Sequence, residues 1–323
     1  AIRHMPDGSL PAMPLPVATI NPANAAAPAQ IILIPQYSAI FSHQPCSTER
    51  LPGKTGTAIV SARAQEIMMG NLATLKTART LDTDEWQLRV DLAAAFRLSV
   101  KFDWHEAVAN HFSLAVSADG KKFLMNPRWQ HFSRIKASEL LLLDSNDSET
   151  MNRPDAPDLT AWSIHGRMHA NVPQARCIIH LHPPYATALA SLANPEILPI
   201  DQNTARFYNR VAVDMNYGGM ANTDAEGDRL GGLLGNKQIM MMGNHGVLIC
   251  ASTVAEAFDL TYYLERACRN LMLAYSSGQK LNVMSNEVAE KTAQEWEADR
   301  DQFQAHFAEM KAILDAEDPS YAD

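Results

Sequence analysis

The feature that most constrains this chain is an apolar run that ends in two histidines, in the stretch ARCIIHLHPPYATALA. Arg176–His182 is predicted to be a buried strand, because the run is short and apolar and is stopped by Pro183-Pro184. Side chains two residues apart on a strand point to one face, so His180 and His182 project together. That spacing suits two ligands of one metal ion, although a chain with 11 histidines also produces it by chance.

A third histidine, His245, lies in the stretch MMMGNHGVLIC between two predicted strands, Gln238–Met242 and Val247–Cys250. Gly246 is expected to allow the unusual backbone angles that let a side chain project from a tight turn. Three neutral imidazoles with positions left open for substrate suit Zn²⁺, Mn²⁺ or Fe²⁺. The alternative is a hairpin tip that carries a solvated histidine.

Predicted strands and helices alternate through the middle of the chain without a clean break, which favours one α/β domain with terminal extensions. The region 195–217 is mixed and receives no single assignment. Helices are predicted at 86–100, from a Thr160 cap to about Ala170, at 185–192, at 224–234 and at 253–276; further strands are predicted in FSLAV, KKFLM and ELLLLD.

The two ends of the chain differ from this middle part in composition. Residues 1–60 are predicted to form an extended Pro/Ala-rich arm, in which Ile31–Ile34 could add an edge strand. This arm either wraps a neighbouring subunit or forms a tail. The main domain is placed at 61–280, beginning with a helix at 61–78, and an acidic helical extension of one helix or a pair is placed at 281–323.

Charge, apolar runs and cysteine content disfavour a nucleic-acid partner, a membrane span and a disulfide framework. The 27 Lys and Arg against 36 Asp and Glu give a net charge of −9, which disfavours a nucleic-acid partner. No apolar run approaches the length of about 18 residues that a membrane span needs. Of the 4 cysteines, three lie in apolar runs and none forms a CxxC pair, which favours reduced thiols in a cytoplasmic protein over a disulfide framework.

Three stretches together, HLHPPYATALA, LPIDQNTARFYNRVAVD and MGNHGVLICASTVAEAFDLTYYLERACR, resemble the class II aldolase/adducin family. The resemblance runs from about Trp86 to Tyr275. It implies an α/β fold, a three-layer α/β/α sandwich around a central mixed, mainly antiparallel sheet, and a homotetramer with active sites near subunit interfaces. It also implies that His180, His182 and His245 hold a divalent metal, with zinc favoured over manganese or iron. Adducin-type scaffold members lack these ligands, so their presence favours an enzyme.

The chain departs from this family at the residue that transfers protons. Aldolases of the family carry Ser-Ser-Glu-Trp before the helix that precedes the histidine pair, and here Ala161 falls where the glutamate should be. A methyl group cannot transfer a proton. His169 is the expected replacement, and His165, one turn away, is expected to be structural. Asp155 and Asp158 are weaker candidates. Tyr208 is a second catalytic candidate; with Arg206 it either reaches the pocket or packs at an interface.

The phosphate-binding pattern of the sugar-phosphate aldolases is also altered. The first of its two loops reads Asn110-His111-Phe112-Ser113 in this chain, and the second reads Asn126-Pro127-Arg128-Trp129. A proline without an amide donor and a bulky tryptophan leave less room for a phosphate. Asn110 and Arg128 are therefore expected to bind an unphosphorylated substrate, Arg128 through a bidentate contact with a carboxylate. The alternative for Arg128 is an ordinary surface side chain.

The sequence thus predicts a divalent-metal-dependent lyase of the aldolase or decarboxylase type. Its substrate would be a small, unphosphorylated carboxylated or hydroxylated carbonyl compound. The metal would act as a Lewis acid and stabilise an enediolate as a carbon–carbon bond breaks. Loss of the glutamate favours decarboxylation, because departure of CO₂ needs no base to remove an alcohol proton. Two alternatives remain open, an adducin-like binding or scaffold protein and a three-histidine non-haem iron oxygenase.

Overall fold

The structure, a computed structural model, describes residues 85–323. The predicted arm at 1–60, its edge strand at Ile31–Ile34 and the predicted helix at 61–78 lie outside the described residues.

Most of the predicted helices and strands between residues 85 and 323 are present. The strands are β1 (His111–Ala115), β2 (Lys122–Met125), β3 (Leu141–Asp144), β4 (Cys177–Leu181), β5 (Val211–Asp214), β6 (Ile239–Met242) and β7 (Gly246–Ala251). The helices are α1 (Glu85–Lys101), α2 (Leu159–Ala161, a π-helical turn Trp162–Gly166, then Arg167–Asn171), α3 (Pro184–Ala190), α4 (Gln202–Ala205), α5 (Asp224–Leu234), α6 (Val254–Ser276), α7 (Asn286–Ala298) and α8 (Asp301–Glu317).

The strands form one seven-stranded sheet with the order β3-β2-β1-β4-β7-β6-β5. Its neighbouring strands run antiparallel except β5 and β6, which run parallel. The mixed, mainly antiparallel sheet is therefore confirmed. In the pairing of β1 with β4, His111 lies directly opposite His180, so these two side chains share one face of the sheet.

Alternate side chains along the strands bury into two separate hydrophobic layers. On β4, Ile179 packs in the layer that contains α1, α3 and α6, whereas Ile178 packs in the layer that contains α2 and α5. Helices therefore cover both faces of the sheet, which is the predicted three-layer α/β/α arrangement. His111, His180 and His182 project on the α2 side, because they share the alternation of Ile178.

The acidic C-terminal segment forms the helix pair α7 and α8. Phe307 and Leu314 of α8, and Tyr321 beyond it, belong to the main hydrophobic layer on the α6 side. Tyr321 is only 1% exposed. Among residues 85–323, no helix combines the length and the apolarity that crossing a membrane requires.

One local prediction was wrong, and one strand lies in a region that received no assignment. The cap of α2 is Asp158, not Thr160: its carboxylate accepts the backbone N–H groups of Thr160 and Ala161. The short edge strand β5 lies in the region 195–217, which received no assignment. Local sequence does not reveal this strand, because its pairing with β6 involves residues that are distant in sequence.

Candidate metal centre

Three histidines from two neighbouring strands converge at one end of the sheet. His180 lies near the end of β4, His182 directly follows β4, and His245 lies in the turn between β6 and β7. One ring nitrogen from each lies within 4.8 Å of those of the other two. The strand pairing brings them together, because β4 and β7 are hydrogen-bonded neighbours with Leu181 opposite Val247.

Hydrogen bonds at Nδ1 of His180 and of His182 define which ring nitrogen is left to bind a metal ion. Nδ1 of His180 lies 3.0 Å from the backbone carbonyl oxygen of Val247, and Nδ1 of His182 lies 2.6 Å from the carboxylate of Glu106. A carbonyl or carboxylate oxygen can only accept, so in a neutral ring the proton is on Nδ1 and Nε2 carries a lone pair.

The two lone-pair nitrogens face each other across a distance that suits a shared ion. Nε2 of His180 lies 3.2 Å from Nε2 of His182. Two nitrogen ligands, each about 2.0–2.1 Å from a tetrahedral zinc ion, lie about 3.3–3.4 Å apart. The histidines present therefore fit a divalent metal, which would relieve the repulsion between the two lone pairs.

Burial keeps His180 and His245 in the neutral form that binds metal. Burial lowers the pKa of His180 well below its usual value, and the neighbouring imidazoles lower it further. Burial likewise lowers the pKa of His245 to about 4, with the charge of His182 as the next contribution.

The turn that carries His245 uses its residues differently from the prediction. The left-handed backbone angle falls on Asn244, with φ of 56°, whereas φ of Gly246 lies outside the left-handed range. Gly246 is needed instead for space, because its backbone packs against the ring of His182 and the carbonyl of Leu181. The expected unusual backbone angle is present in this turn, but it falls on Asn244 and not on Gly246.

A second polar cluster lies beneath α2 and includes the expected substitute base. Nε2 of His169 lies 2.7 Å from the hydroxyl of Ser113, and the same hydroxyl lies 2.6 Å from Nδ1 of His165. Nε2 of His165 in turn lies 2.8 Å from Nδ1 of His111. His169 is buried and stacked on Phe123. The connection of His169 toward the three histidines runs through this buried cluster, and its role as a base stays a prediction.

Burial holds the histidines of this second cluster in the neutral form as well. It lowers the pKa values of His111 and His169 to about 3 and the pKa of His165 well below its usual value. The ring of His111 stacks on that of His180, with 4.9 Å between the centroids. The cluster thus continues directly into the three-histidine centre.

The two expected substrate-binding residues have contrasting environments. Asn110 is buried; its Oδ1 accepts the backbone N–H of Glu106 at 2.8 Å, while its Nδ2 has no hydrogen-bond partner among the described residues. Arg128 is exposed, and its guanidinium lies 4.4 Å from the ring centroid of Trp129.

Tyr208 and Arg206, in the stretch NTARFYNR, contact residues other than the three histidines. Within residues 85–323, Tyr208 makes no ring contact or side-chain hydrogen bond with the cluster; its carbonyl accepts a hydrogen bond from Arg210. Arg206 donates to Asp259 and lies over the rings of Tyr263 and Trp296.

Sequence reasoning missed Glu106 and gave Asp158 a minor place. Glu106 contacts His182, and the charge of Asp158 raises the pKa of His111 against the effect of burial. Asp155, by contrast, is exposed and paired with Arg153. One signal for the second cluster was present: His111 and Ser113 stand two apart in an apolar strand, as His180 and His182 do.

A family model described as Class II Aldolase and Adducin N-terminal domain matches residues 90–272. A Caulobacter vibrioides protein named as belonging to aldolase class 2 is 31% identical over 221 residues, which are 68% of this chain and 85% of that protein. Human beta-adducin is 30% identical over 216 residues, which are 65% of this chain but only 29% of beta-adducin.

Solved structures show the same fold. An aldolase II superfamily protein from Pseudomonas syringae superposes with a TM-score of 0.67 at 28% identity, covering 77% of this chain and all (100%) of that one. An L-fuculose 1-phosphate aldolase from Glaciozyma antarctica superposes with a TM-score of 0.63 at 21% identity, covering 75% of this chain and 95% of that one. With the family model matched across the whole sheet, this chain belongs to the class II aldolase and adducin family.

Proposed function

We propose that this chain is a divalent-metal-dependent lyase that breaks a carbon–carbon bond in a small, unphosphorylated carbonyl compound bearing hydroxyl or carboxyl groups. The observation that carries the proposal is the 3.2 Å separation between Nε2 of His180 and Nε2 of His182, two rings whose Nδ1 atoms each face an oxygen acceptor. A ring nitrogen of His245 lies within 4.8 Å of the ligand nitrogens of both other histidines.

His180, His182 and His245 would hold the metal, and zinc is the metal we favour because neutral imidazoles and a compact site suit it. When bound, such an ion supplies Lewis-acid stabilisation for negative charge on a substrate oxygen. The unpartnered Nδ2 of Asn110 supports a role in holding a substrate oxygen, since a buried amide without a partner is unfavourable. Arg128, exposed and lying over the ring of Trp129, would bind a carboxylate.

The residue at position 161 bears on the reaction type. Ala161 is 2% exposed and packs with Phe123, Met125 and Leu143, so no carboxylate stands at the family's acid/base position. Cleavage by loss of CO₂ needs no group to remove an alcohol proton. We therefore favour decarboxylation over retro-aldol cleavage, and retain Tyr208 as a residue that acts through an oligomeric contact.

A homo-oligomer in the cytoplasm completes the proposal. Free, buried Cys177, Cys250 and Cys268 support a reducing compartment. The 69% exposed side chain of Trp129 supports a further contact surface beside Arg128.

A binding or scaffold role is the second candidate, favoured by the 30% identity to beta-adducin. The convergence of three imidazoles supports the enzyme over the scaffold, because a scaffold has no need of a metal-binding arrangement. An iron oxygenase would use the same three histidines and differs in the metal and in oxygen uptake.

The test is metal analysis of protein purified without a histidine tag. One equivalent of zinc or another divalent metal is expected in the wild type, with loss in His245→Ala. His131→Asn is the matched control, because His131 caps a short helix through Nδ1 and asparagine caps equally well. The loaded protein is then screened for CO₂ release and aldehyde release. No metal under any loading condition would contradict the lyase and leave the scaffold role; oxygen uptake with bound iron would select the oxygenase.

A further inference from the structure

Three carboxylates act electrostatically on the histidines of the centre and of the adjoining cluster: Glu106 and Asp214 on His245, and Asp158 on His111. Two of them are committed to other partners. Asp214 is paired through both oxygens with Arg229, at 3.1 and 2.6 Å. The Oδ1 of Asp158 accepts from the backbone and hydroxyl of Thr160.

Glu106 differs from both, because one of its oxygens reaches a histidine of the centre and the other is free. Its Oε2 lies 2.6 Å from Nδ1 of His182. Its Oε1 makes no hydrogen bond in the part of the chain that the structure describes, and 54% of the side chain is exposed.

The loop that carries Glu106 is tied to the start of β1. The backbone N–H of Glu106 donates to Oδ1 of Asn110 at 2.8 Å, and the N–H of Ala109 donates to the carbonyl of Glu106 at 2.8 Å. Asn110 directly precedes His111, which is paired with His180. The carboxylate is thereby held at a fixed place relative to β1 and β4.

We propose that Glu106 supplies, from the loop before β1, a carboxylate that positions one histidine of the centre and contacts the substrate. Its Oε2 positions His182 with Nε2 toward His180, and its Oε1 accepts a hydrogen bond from a hydroxyl of the bound substrate. The second role rests on the proposed function; the first does not. The substrate class is accordingly one with a hydroxyl next to the atoms that bind at the centre.

The positioning role is tested first by neutron diffraction of deuterated, metal-free wild-type crystals. A deuteron on Nδ1 of His182, directed at Glu106, is expected. A deuteron on Nε2 with Nδ1 bare would overturn the positioning role, whether or not the protein binds metal. Failure of the wild type to bind zinc would instead contradict the proposed function alone.

Zinc affinity then measures what the contact does. Glu106→Ala is expected to bind zinc about 10–100-fold more weakly than the wild type, the usual effect of losing a group that orients a metal-binding histidine. Glu106→Gln, whose carbonyl can still accept from Nδ1, should lie between the two. Glu149→Gln is the control, since within residues 85–323 the side chain of Glu149 hydrogen-bonds to Asn152 and to no histidine of the centre. A loss in metal-free melting temperature with unchanged zinc affinity would mean a merely structural role and overturn the proposal.

The substrate role is tested with two probes that differ by one hydroxyl, glycolate and acetate, titrated into the zinc-loaded protein. A wild-type preference for glycolate that falls at least about tenfold in Glu106→Gln is expected, the size of a hydrogen bond to a charged group. An equal preference in both proteins would show that Glu106 does not contact the hydroxyl and would overturn this part of the proposal.

Discussion

The hydroxyl of Ser113 lies 2.7 Å from Nε2 of His169, at the place where β1 packs against α2. The same hydroxyl lies 2.6 Å from Nδ1 of His165, so one small side chain bridges two imidazoles. All three residues are buried. Because buried polar groups destabilise a fold unless they are hydrogen-bonded, the cluster depends on this single oxygen.

Replacing Ser113 by alanine leaves two buried ring nitrogens without their shared partner. We expect Ser113→Ala to lower the free energy of unfolding by about 2–4 kcal/mol, since each unpaired buried group costs about 1–3 kcal/mol. Urea denaturation measures this. Ser133→Ala is the control, because Ser133 also contacts a histidine, His131 at 2.8 Å, but in a half-buried place. Equal losses in the two variants would contradict a special dependence on Ser113.

Restoring the family's glutamate at Ala161 is expected to harm the protein. The side chain would enter a cluster formed with Phe123, Met125 and Leu143, where no partner for a carboxylate is described. Ala161→Glu should lower the free energy of unfolding by more than about 3 kcal/mol, as burial of an unpaired charge does. Leu159→Glu, two residues earlier and 46% exposed, should change it by less than about 1 kcal/mol. A stable Ala161→Glu variant with raised aldol cleavage would contradict this account of the position.

Glu265 is expected to make stability fall as pH rises. Burial raises its pKa to about 7, against the backbone N–H groups of Tyr185 and Ala186 that donate to it. The folded protein therefore holds a proton that the unfolded chain, with a usual pKa of about 4.3, releases earlier. The stabilisation is complete below about pH 4 and is lost as pH rises through about 7, a decrease of about 3 kcal/mol.

The Glu265→Gln variant isolates this effect, because its side chain stays neutral at every pH. The difference in free energy of unfolding between wild type and variant should change with pH between 4 and 7 and be constant below that range. Chemical denaturation at several pH values measures it. A constant difference throughout would mean that Glu265 has the same pKa in the folded and unfolded protein, and would contradict the effect of burial.

How much of the centre could be predicted depends on whether sequence spacing alone fixes a side chain. His180 and His182 share a face because they are two apart on one strand, so their convergence follows from the sequence. His165 and His169 share a helix face in the same way, but whether that face meets the substrate or Ser113 depends on how α2 packs on the sheet. No local pattern marks Glu106, since its contact with His182 requires β1 to pair with β4.

The turn at His245 gives a last prediction, which concerns space rather than backbone angle. A Cβ built on Gly246 would stand 2.4 Å from Cδ2 of His182 and 2.5 Å from the carbonyl oxygen of Leu181. Gly246→Ala must therefore displace the imidazole or the strand end, and we expect zinc affinity to fall at least about tenfold. Gly232→Ala is the control, because a Cβ there meets nothing within 4 Å and alanine favours the helix by about 0.5–1 kcal/mol. Zinc affinity is measured by calorimetric titration of both variants. Wild-type affinity in Gly246→Ala would contradict this prediction. It would show that His182 does not hold the metal, or that the turn accommodates the methyl group without moving His182.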